Sequence, residues 1–347
     1  MNDRRNFIKN LSLVLSATAI GGCNTALSDK DTKSSDHLSK VKNAMLAMQR
    51  ASWEQGTAIQ TMIECDDREM LRLMVDEAIL RQTPDGRTCM LGSGDNVTDP
   101  VAAGYGIIKC YELFGESKYR DAADKLYDYC KRQAPRDAAG TLYHLTTGKE
   151  LWSDSIYMLP PFLAAYKDYD ECIKQIRGYR ARLWNEEKKL YSHRWDDEGN
   201  RFINIKCWGG GNGWTAASFA IIYELLPVTM TAYRDEIKAY LSELLSGLLA
   251  HLRPDGLFYD IVDDPESFVE TNLSQMTAFA IFKSVKSGAV GKEYLDAARL
   301  MKQGALSKVD DRGYIKDASG SPFFNSPGTS TEAQAFHIMM MAAESKV

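Results

Sequence analysis

Pro254-Asp255-Gly256-Leu257-Phe258-Tyr259 is a short turn with an apolar tail, and four other stretches repeat its plan. They are Pro84-Asp85-Gly86, Ala139-Gly140-Thr141-Leu142-Tyr143-His144, Lys189-Leu190-Tyr191-Ser192-His193 and Asp311-Arg312-Gly313-Tyr314-Ile315. The anchors at 86, 140, 189, 256 and 313 are spaced by 54, 49, 67 and 57 residues, with Lys189 standing where the other copies have glycine. A polar or glycine-rich cluster follows each turn: Asp99, Asp154, Trp208 through Trp214, Glu270 and Gly328. In the third copy the insertion Asp196 to Asn200 delays it. A period of this length implies one supersecondary unit used several times, with equivalent residues converging on one end of the assembly.

Between the turns the apolar pattern is helical. Leu241, Leu244, Leu245, Leu248, Leu249 and Leu252 form one stripe of a helix that is expected to stop at Pro254. Similar periodicity runs through 70–80, 101–113, 119–132, 215–225 and 277–284, and strand-like pieces are confined to turn tails such as Thr141 to His144. A solenoid of such hairpins would use shorter units and would rarely set Trp and carboxylates in the same loop of successive repeats. With a sixth unit around Ser52-Trp53-Glu54-Gln55-Gly56, the reading is all-α: an (α/α)6 barrel of helical hairpins with short β turns at one end.

Composition narrows the partners. The 347 residues carry a net charge of −5, with no basic block beyond residue 10, so nucleic acid is not expected as a partner. Residues 1–23 read as an export signal, with Arg4-Arg5 ahead of an apolar run from Leu11 to Ile20 and then Ile20-Gly21-Gly22-Cys23. The run is too short for a membrane span. Cys23 is the expected lipidation site, residues 24–37 a solvated flexible tether and residues 38–347 the barrel domain. This is the pattern of an exported bacterial lipoprotein of the cell envelope, touching membrane only through its anchor. The other six cysteines lack zinc spacing and are expected as buried free thiols. No metal and no cofactor is expected.

Asp99 and Asp154 occupy matching places in adjacent units. Two carboxylates facing one pocket repel, which holds one of them protonated, and Trp152 beside Asp154 adds desolvation. Cys207-Trp208-Gly209-Gly210-Gly211-Asn212-Gly213-Trp214 offers close backbone approach between two indoles, as a sugar subsite needs; a glycine-rich helix entry is the structural alternative. It lacks the Lys-Ser/Thr of a phosphate loop. His144 and His193 end equivalent turn tails and suit hydrogen bonding to a ligand.

These residues together resemble the unsaturated rhamnogalacturonyl and glucuronyl hydrolases of glycoside hydrolase families 105 and 88. The resemblance runs from about Ala51 to Ala343 and is carried by Leu151 to Met158 with Pro161 to Ala164, by Trp208 to Trp214, and by Gly328-Thr329-Ser330 leading into Gln334-Ala335-Phe336. It implies an (α/α)6 barrel that removes a 4,5-unsaturated uronic acid from the non-reducing end of lyase-generated oligosaccharides. Asp154 would protonate C4 and activate the water that adds at C5, and Asp99 would be the second carboxylate. His144, Trp152, His193, Trp208, Asn212 and Trp214 would line the subsite. Where such hydrolases commonly carry an arginine within the block Trp208 to Trp214, this chain has Gly210. Two alternatives stand beside this reading: another carbohydrate-active enzyme on the same barrel, and a non-catalytic surface glycan-binding lipoprotein.

Overall fold

The computed structural model describes residues 29–90 and 94–347; the export signal, Cys23 and residues 24–28 lie outside them. Thirteen helices follow in order: α1 Asp29–Met48, α2 Ser52–Glu64, α3 Arg68–Leu80, α4 Gly104–Phe114, α5 Ser117–Asp128, α6 Ser155–Met158, α7 Pro160–Tyr166, α8 Tyr169–Leu183, α9 Gly209–Leu225, α10 Thr231–Leu249, α11 Asn272–Ser287, α12 Leu295–Leu306 and α13 Thr331–Glu344. Two compact units are distinguished, Met1–Asp36 and His37–Val347. In the first, the described residues are helical. Residues 29–37 therefore belong to a helix, where the sequence suggested tether; the stretch from Asp29 contains neither glycine nor proline to stop it.

Within the second unit α2, α4, α7, α9, α11 and α13 each pack against the next, and α13 returns to α2, closing a ring of six inner helices. The partners α3, α5, α8, α10 and α12 pack outside them. Burial separates the two layers. Residues 209–223 of α9 and 272–284 of α11 are buried on every side, whereas α10 buries one face through Leu241, Leu244, Leu245 and Leu248. The inner helix of the third hairpin is broken into α6 and α7 by Pro160. Proline has no N–H for the Ile156 carbonyl, and Ser218 Oγ of α9 donates to that oxygen instead at 2.6 Å.

The five turns occupy the five long connections from an outer to the following inner helix. Gly86, Gly140, Gly256 and Gly313 take φ of 101, 90, 79 and 92°, and Lys189 holds the left-handed region at 53°. Each turn backs onto the next outer helix: a Cβ on Gly256 would stand 2.2 Å from the Leu300 carbonyl oxygen of α12. In the lysine copy the glycine has moved to the partner, where a Cβ on Gly247 of α10 would stand 2.2 Å from the Lys189 carbonyl oxygen. Gly256→Ala is expected to cost roughly 1–3 kcal/mol from backbone strain alone, read as a lower chemical-denaturation midpoint. An unchanged midpoint would contradict this role for the turn. The sixth unit has no such turn, since only residues 49–51 join α1 to α2.

Short strands decorate the turn end. β1 Glu150–Trp152, β2 Trp184–Asn185, β3 Leu190–Tyr191, β4 Arg194–Asp196, β5 Arg201–Asn204, β6 Phe258–Tyr259 and β7 Val269–Glu270 form one three-stranded sheet in the order β1-β4-β5 and two pairs, β2-β3 and β6-β7. The insertion at 196–200 is the β4-β5 turn. Residues 141–144 form only an isolated bridge between Arg136 and Leu142. α10 ends at Leu249 rather than near Pro254, because His251 and Leu252 turn back onto Leu248 and Leu249 and free Arg253 to pair with Leu257 in the turn. None of the six described cysteines is paired; five are buried and Cys65 is exposed.

Candidate active site

All six inner helices run the same way, so their N-termini gather at the turn end. Their partial positive charge suits anionic groups there, and the carboxylates lie accordingly. Asp99 precedes α4, Asp154 immediately precedes α6, Glu270 precedes α11, and Glu54 and Glu332 sit in the first turns of α2 and α13. A cavity of about 440 Å³ opens at this end, within the ~300–1,000 Å³ typical of small-molecule sites.

Seven of the eight expected pocket residues line it: Asp99, His144, Trp152, Asp154, His193, Trp208 and Trp214. Asn212 does not. Its amide is fully buried and spent on the backbone, accepting from Tyr191 N at 2.8 Å and donating to Tyr191 O at 3.0 Å and Trp208 O at 2.9 Å. It ties β3 to the start of α9. The sequence placed it in the subsite because its neighbours are there, but helical geometry turns it away.

The glycines around it are there for close approach. Gly209, Gly210 and Gly211 form the first turn of α9, and a Cβ would meet the Trp208 ring at 2.4 Å from Gly210 and Ser153 Oγ at 2.0 Å from Gly211. The segment is therefore a glycine-rich helix entry, and Trp208, Gly210 and Trp214 from it also line the cavity. Trp214 is buried against Tyr157, at 4.6 Å between ring centroids, and Phe336, at 5.3 Å, making the pocket floor. Trp208 forms a wall with its Nε1 donating to Asp260 at 3.1 Å.

The two aspartates differ in surroundings. Asp99 is buried and accepts a hydrogen bond from Asn96; burial first, and the charge of Asp154 second, push its carboxyl well above the usual range. Burial would also raise Asp154, but the hydrogen bond and charge of His193 together with His144 outweigh it and hold Asp154 below its ordinary value. His193 Nε2 stands 3.4 Å from Asp154 Oδ2. The Asn204 amide lies 3.3 Å from His193 Nδ1 and can donate to it, which puts the ring proton on Nε2, facing Asp154. The two carboxyls are thus shifted in opposite directions, Asp99 up and Asp154 down.

The histidines divide similarly. His144 is sandwiched flat against Trp152, at 4.0 Å and 10°, with Nδ1 3.0 Å from Thr98 Oγ1 and 3.1 Å from Ser155 Oγ; burial lowers it to about 4. His193 meets Trp152 edge-on at 5.7 Å and lies 4.8 Å from Trp208.

Several lining residues were not singled out from the sequence as site residues: Trp53, Asn96, Arg194, Phe324 and Glu332. Asn96, three residues before Asp99, reads in sequence only as part of an Asn-Val-Thr triplet. Glu332 accepts from Trp53 Nε1, keeps Oε2 buried without a partner, and is raised to about 7 by burial and then by Glu54. Glu270, raised by burial to about 7, is a different case. It accepts from Asn272 N, Leu273 N and Ser319 N at 2.7–3.1 Å, and so fastens α11 to the loop that brings Phe324 to the rim. Gly328 closes that loop through a bridge to Ala318 and does not line the pocket. Among the described residues no group of three His, Cys, Asp or Glu side chains is arranged to hold a metal ion.

Comparison with known proteins agrees with this geometry. The sequence model of Glycosyl Hydrolase Family 88 matches residues 27–337. The unsaturated rhamnogalacturonyl hydrolase YesR of Bacillus subtilis (strain 168) is 26% identical over 287 residues, covering 77% of this chain and 78% of its own. A possible member of the GH105 family from Klebsiella pneumoniae superposes with a TM-score of 0.78 at 16% identity, over 95% of this chain and 98% of that one. A glycosyl hydrolase family 88 protein from Bacteroides vulgatus superposes at 0.69 with 14% identity, over 91% and 98%. With the six-hairpin barrel and the family match in agreement, the chain belongs to glycosyl hydrolase family 88 and is a glycoside hydrolase.

Proposed function

We propose that the enzyme removes a 4,5-unsaturated uronic acid from the non-reducing end of oligosaccharides left by polysaccharide lyases. The observation that carries this reading is the Asp99–Asp154 pair, two carboxyls lining one aromatic-walled pocket, the first shifted up by burial and the second down by its histidines. The similarity to YesR supports the same substrate class.

Asp154 delivers a proton to C4 of the double bond, and its conjugate base takes a proton from the water adding at C5. One water is consumed. The C5 hemiketal opens to a ketone, and the hemiacetal left at C1 releases the aglycone sugar as an alcohol. Asp154 must be protonated for the first step, although in the empty site it is ionised. A uronate entering the pocket supplies a like charge and displaces water, and both raise the proton affinity of Asp154. Asp99 hydrogen-bonds the sugar hydroxyls, and Trp208 and Trp214 provide apolar faces for the ring.

The purified protein is expected to bleach the ultraviolet absorbance of the conjugated double bond in lyase products. Absence of bleaching across pectic, glycosaminoglycan and ulvan-type products would remove this reading. Binding without turnover would favour a glycan-binding protein.

The pocket's other acids set a pH limit. Glu332 and Glu270 are largely protonated below about 7 and ionise above it. Negative charge then accumulates opposite an anionic substrate, so kcat/KM is expected to fall as pH rises through 7. Glu332→Gln is expected to move that fall to higher pH in a pH–rate profile. An unmoved limb would clear Glu332 of this role. We assign the enzyme to the cell envelope through lipid on Cys23, so Cys23→Ala is expected to release it from membranes; retention there would contradict the assignment.

A further inference from the structure

Arg194 is the only lysine or arginine among the described residues lining the pocket, which otherwise presents Asp99, Asp154, Glu270 and Glu332. An anionic sugar entering this pocket meets repulsion from the acidic groups that are ionised and attraction from one fixed cation.

The position and orientation of that cation are built into the fold. Arg194 pairs with Trp152 across the β1-β4 ladder, so the two side chains share one face of the sheet. The guanidinium carbon lies 4.2 Å from the Trp152 ring centroid. Arg194 Nε and Nη2 donate to Glu150 Oε2 at 3.1 and 2.6 Å, and Trp152 Nε1 donates to the same oxygen at 2.7 Å. Among the described residues Nη1 donates to none, and the side chain keeps 30% exposure. One edge of a pre-oriented guanidinium therefore remains open to a ligand.

Position 210 cannot supply such a group. A Cβ there would stand 2.4–2.8 Å from three atoms of the Trp208 ring. That ring is held by its bond to Asp260 and by Phe324 set edge-on at 5.9 Å and 90°. The indole occupies the direction a longer side chain at 210 would take. Any cation for this pocket has to come from another element, and β4 provides it.

We propose that Arg194 is the specificity-determining residue that receives the substrate's carboxylate, which rests on the uronic-acid reading given above. Arginine suits the task because it stays charged and its planar fork matches a carboxylate. Glu150 and Trp152 orient it from behind. The sugar carboxylate is thereby drawn toward the β1-β4 side of the pocket, beside Asp154, and away from Glu332.

The test compares wild type, Arg194→Gln and Arg194→Lys on an unsaturated uronide and its methyl ester. Tryptophan fluorescence titrations with glucuronate, galacturonate and the neutral sugars glucose and galactose accompany the kinetics, and thermal midpoints report folding. Wild type is expected to prefer acid over ester by roughly 10- to 100-fold in kcat/KM. Arg194→Gln is expected to erase the preference through KM with kcat changed only a few-fold, and Arg194→Lys to restore part of it. An acid preference retained in Arg194→Gln overturns the proposal. If wild type turns over neither compound, the reaction assignment fails and the titrations decide the anchor. Preference for uronates over neutral sugars that disappears in Arg194→Gln supports it, and no such preference in wild type overturns it.

Discussion

Asp154→Asn is expected to lower kcat by about 10³- to 10⁴-fold, toward the upper end for loss of a general acid–base, with a modest loss of folded-state stability. His193 and His144 hold the Asp154 carboxyl below its ordinary value, so its negative charge favours the folded state. Asparagine keeps the shape and removes that charge together with the proton carrier. Asp99→Asn is the informative companion. Because burial and the charge of Asp154 favour the neutral form of Asp99, asparagine resembles that form and a loss of only about 10- to 100-fold is expected. Single-turnover bleaching of the double bond separates the two variants, with near-ultraviolet circular dichroism as the check on folding. If Asp99→Asn proves the more damaging, the proton reaching C4 comes from Asp99 and the roles assigned here reverse.

Lys283→Ala is expected to destabilise the barrel by roughly 3–5 kcal/mol, the range for removing one partner of a buried ion pair. Lys283 of α11 has 8% side-chain exposure and donates to both oxygens of Glu64 in α2, at 3.0 and 3.1 Å, and also pairs with Glu224 of α9. The cluster joins three inner helices at the end away from the pocket. Glu64 keeps 6% exposure, so deleting the ammonium leaves its carboxylate buried with only the Gln60 amide, 3.1 Å away, among its side-chain donors. A double variant, Lys283→Met with Glu64→Gln, is expected to recover much of the loss, since the unpaired charge goes too. Urea-denaturation midpoints measure both. A loss under about 1 kcal/mol for the single variant would show that water reaches Glu64 and that the cluster does not brace the ring.

Much of the architecture was legible because helix and turn signals are local. The turns at 86, 140, 189, 256 and 313 all lead into an inner helix, as their spacing predicted, and even the lysine copy keeps the left-handed backbone. Boundaries were less legible where neighbours intervene. α9 begins at Gly209 rather than Thr215, although glycine disfavours helix, because tight packing against Trp208, Ser153 and Met276 leaves room for nothing larger.

The candidate site divides along the same line. Asp99, Asp154 and the two histidines could be found because each pair stands at a repeated offset from a turn, and a repeat maps offset onto place; the tryptophans could be found beside Asp154 and at the flanks of the glycine-rich segment. Asn212 shared that neighbourhood in sequence and not in space. Arg194 and Glu332 carried no offset signal: Arg194 enters the pocket because β4 pairs with β1 across 40-odd residues, and Glu332 because ring closure brings α13 beside α2.

By itself, then, the sequence determined the hairpin repeat, the number of inner helices and the end at which the polar groups collect, since these depend on short-range periodicity and backbone preference. Only the tertiary structure decided which aspartate carboxyl is raised and which lowered, which way the Trp208 ring lies over Gly210, and which cation faces the pocket. Those outcomes depend on burial and on charges a few ångströms apart through space, brought together by segments far apart along the chain.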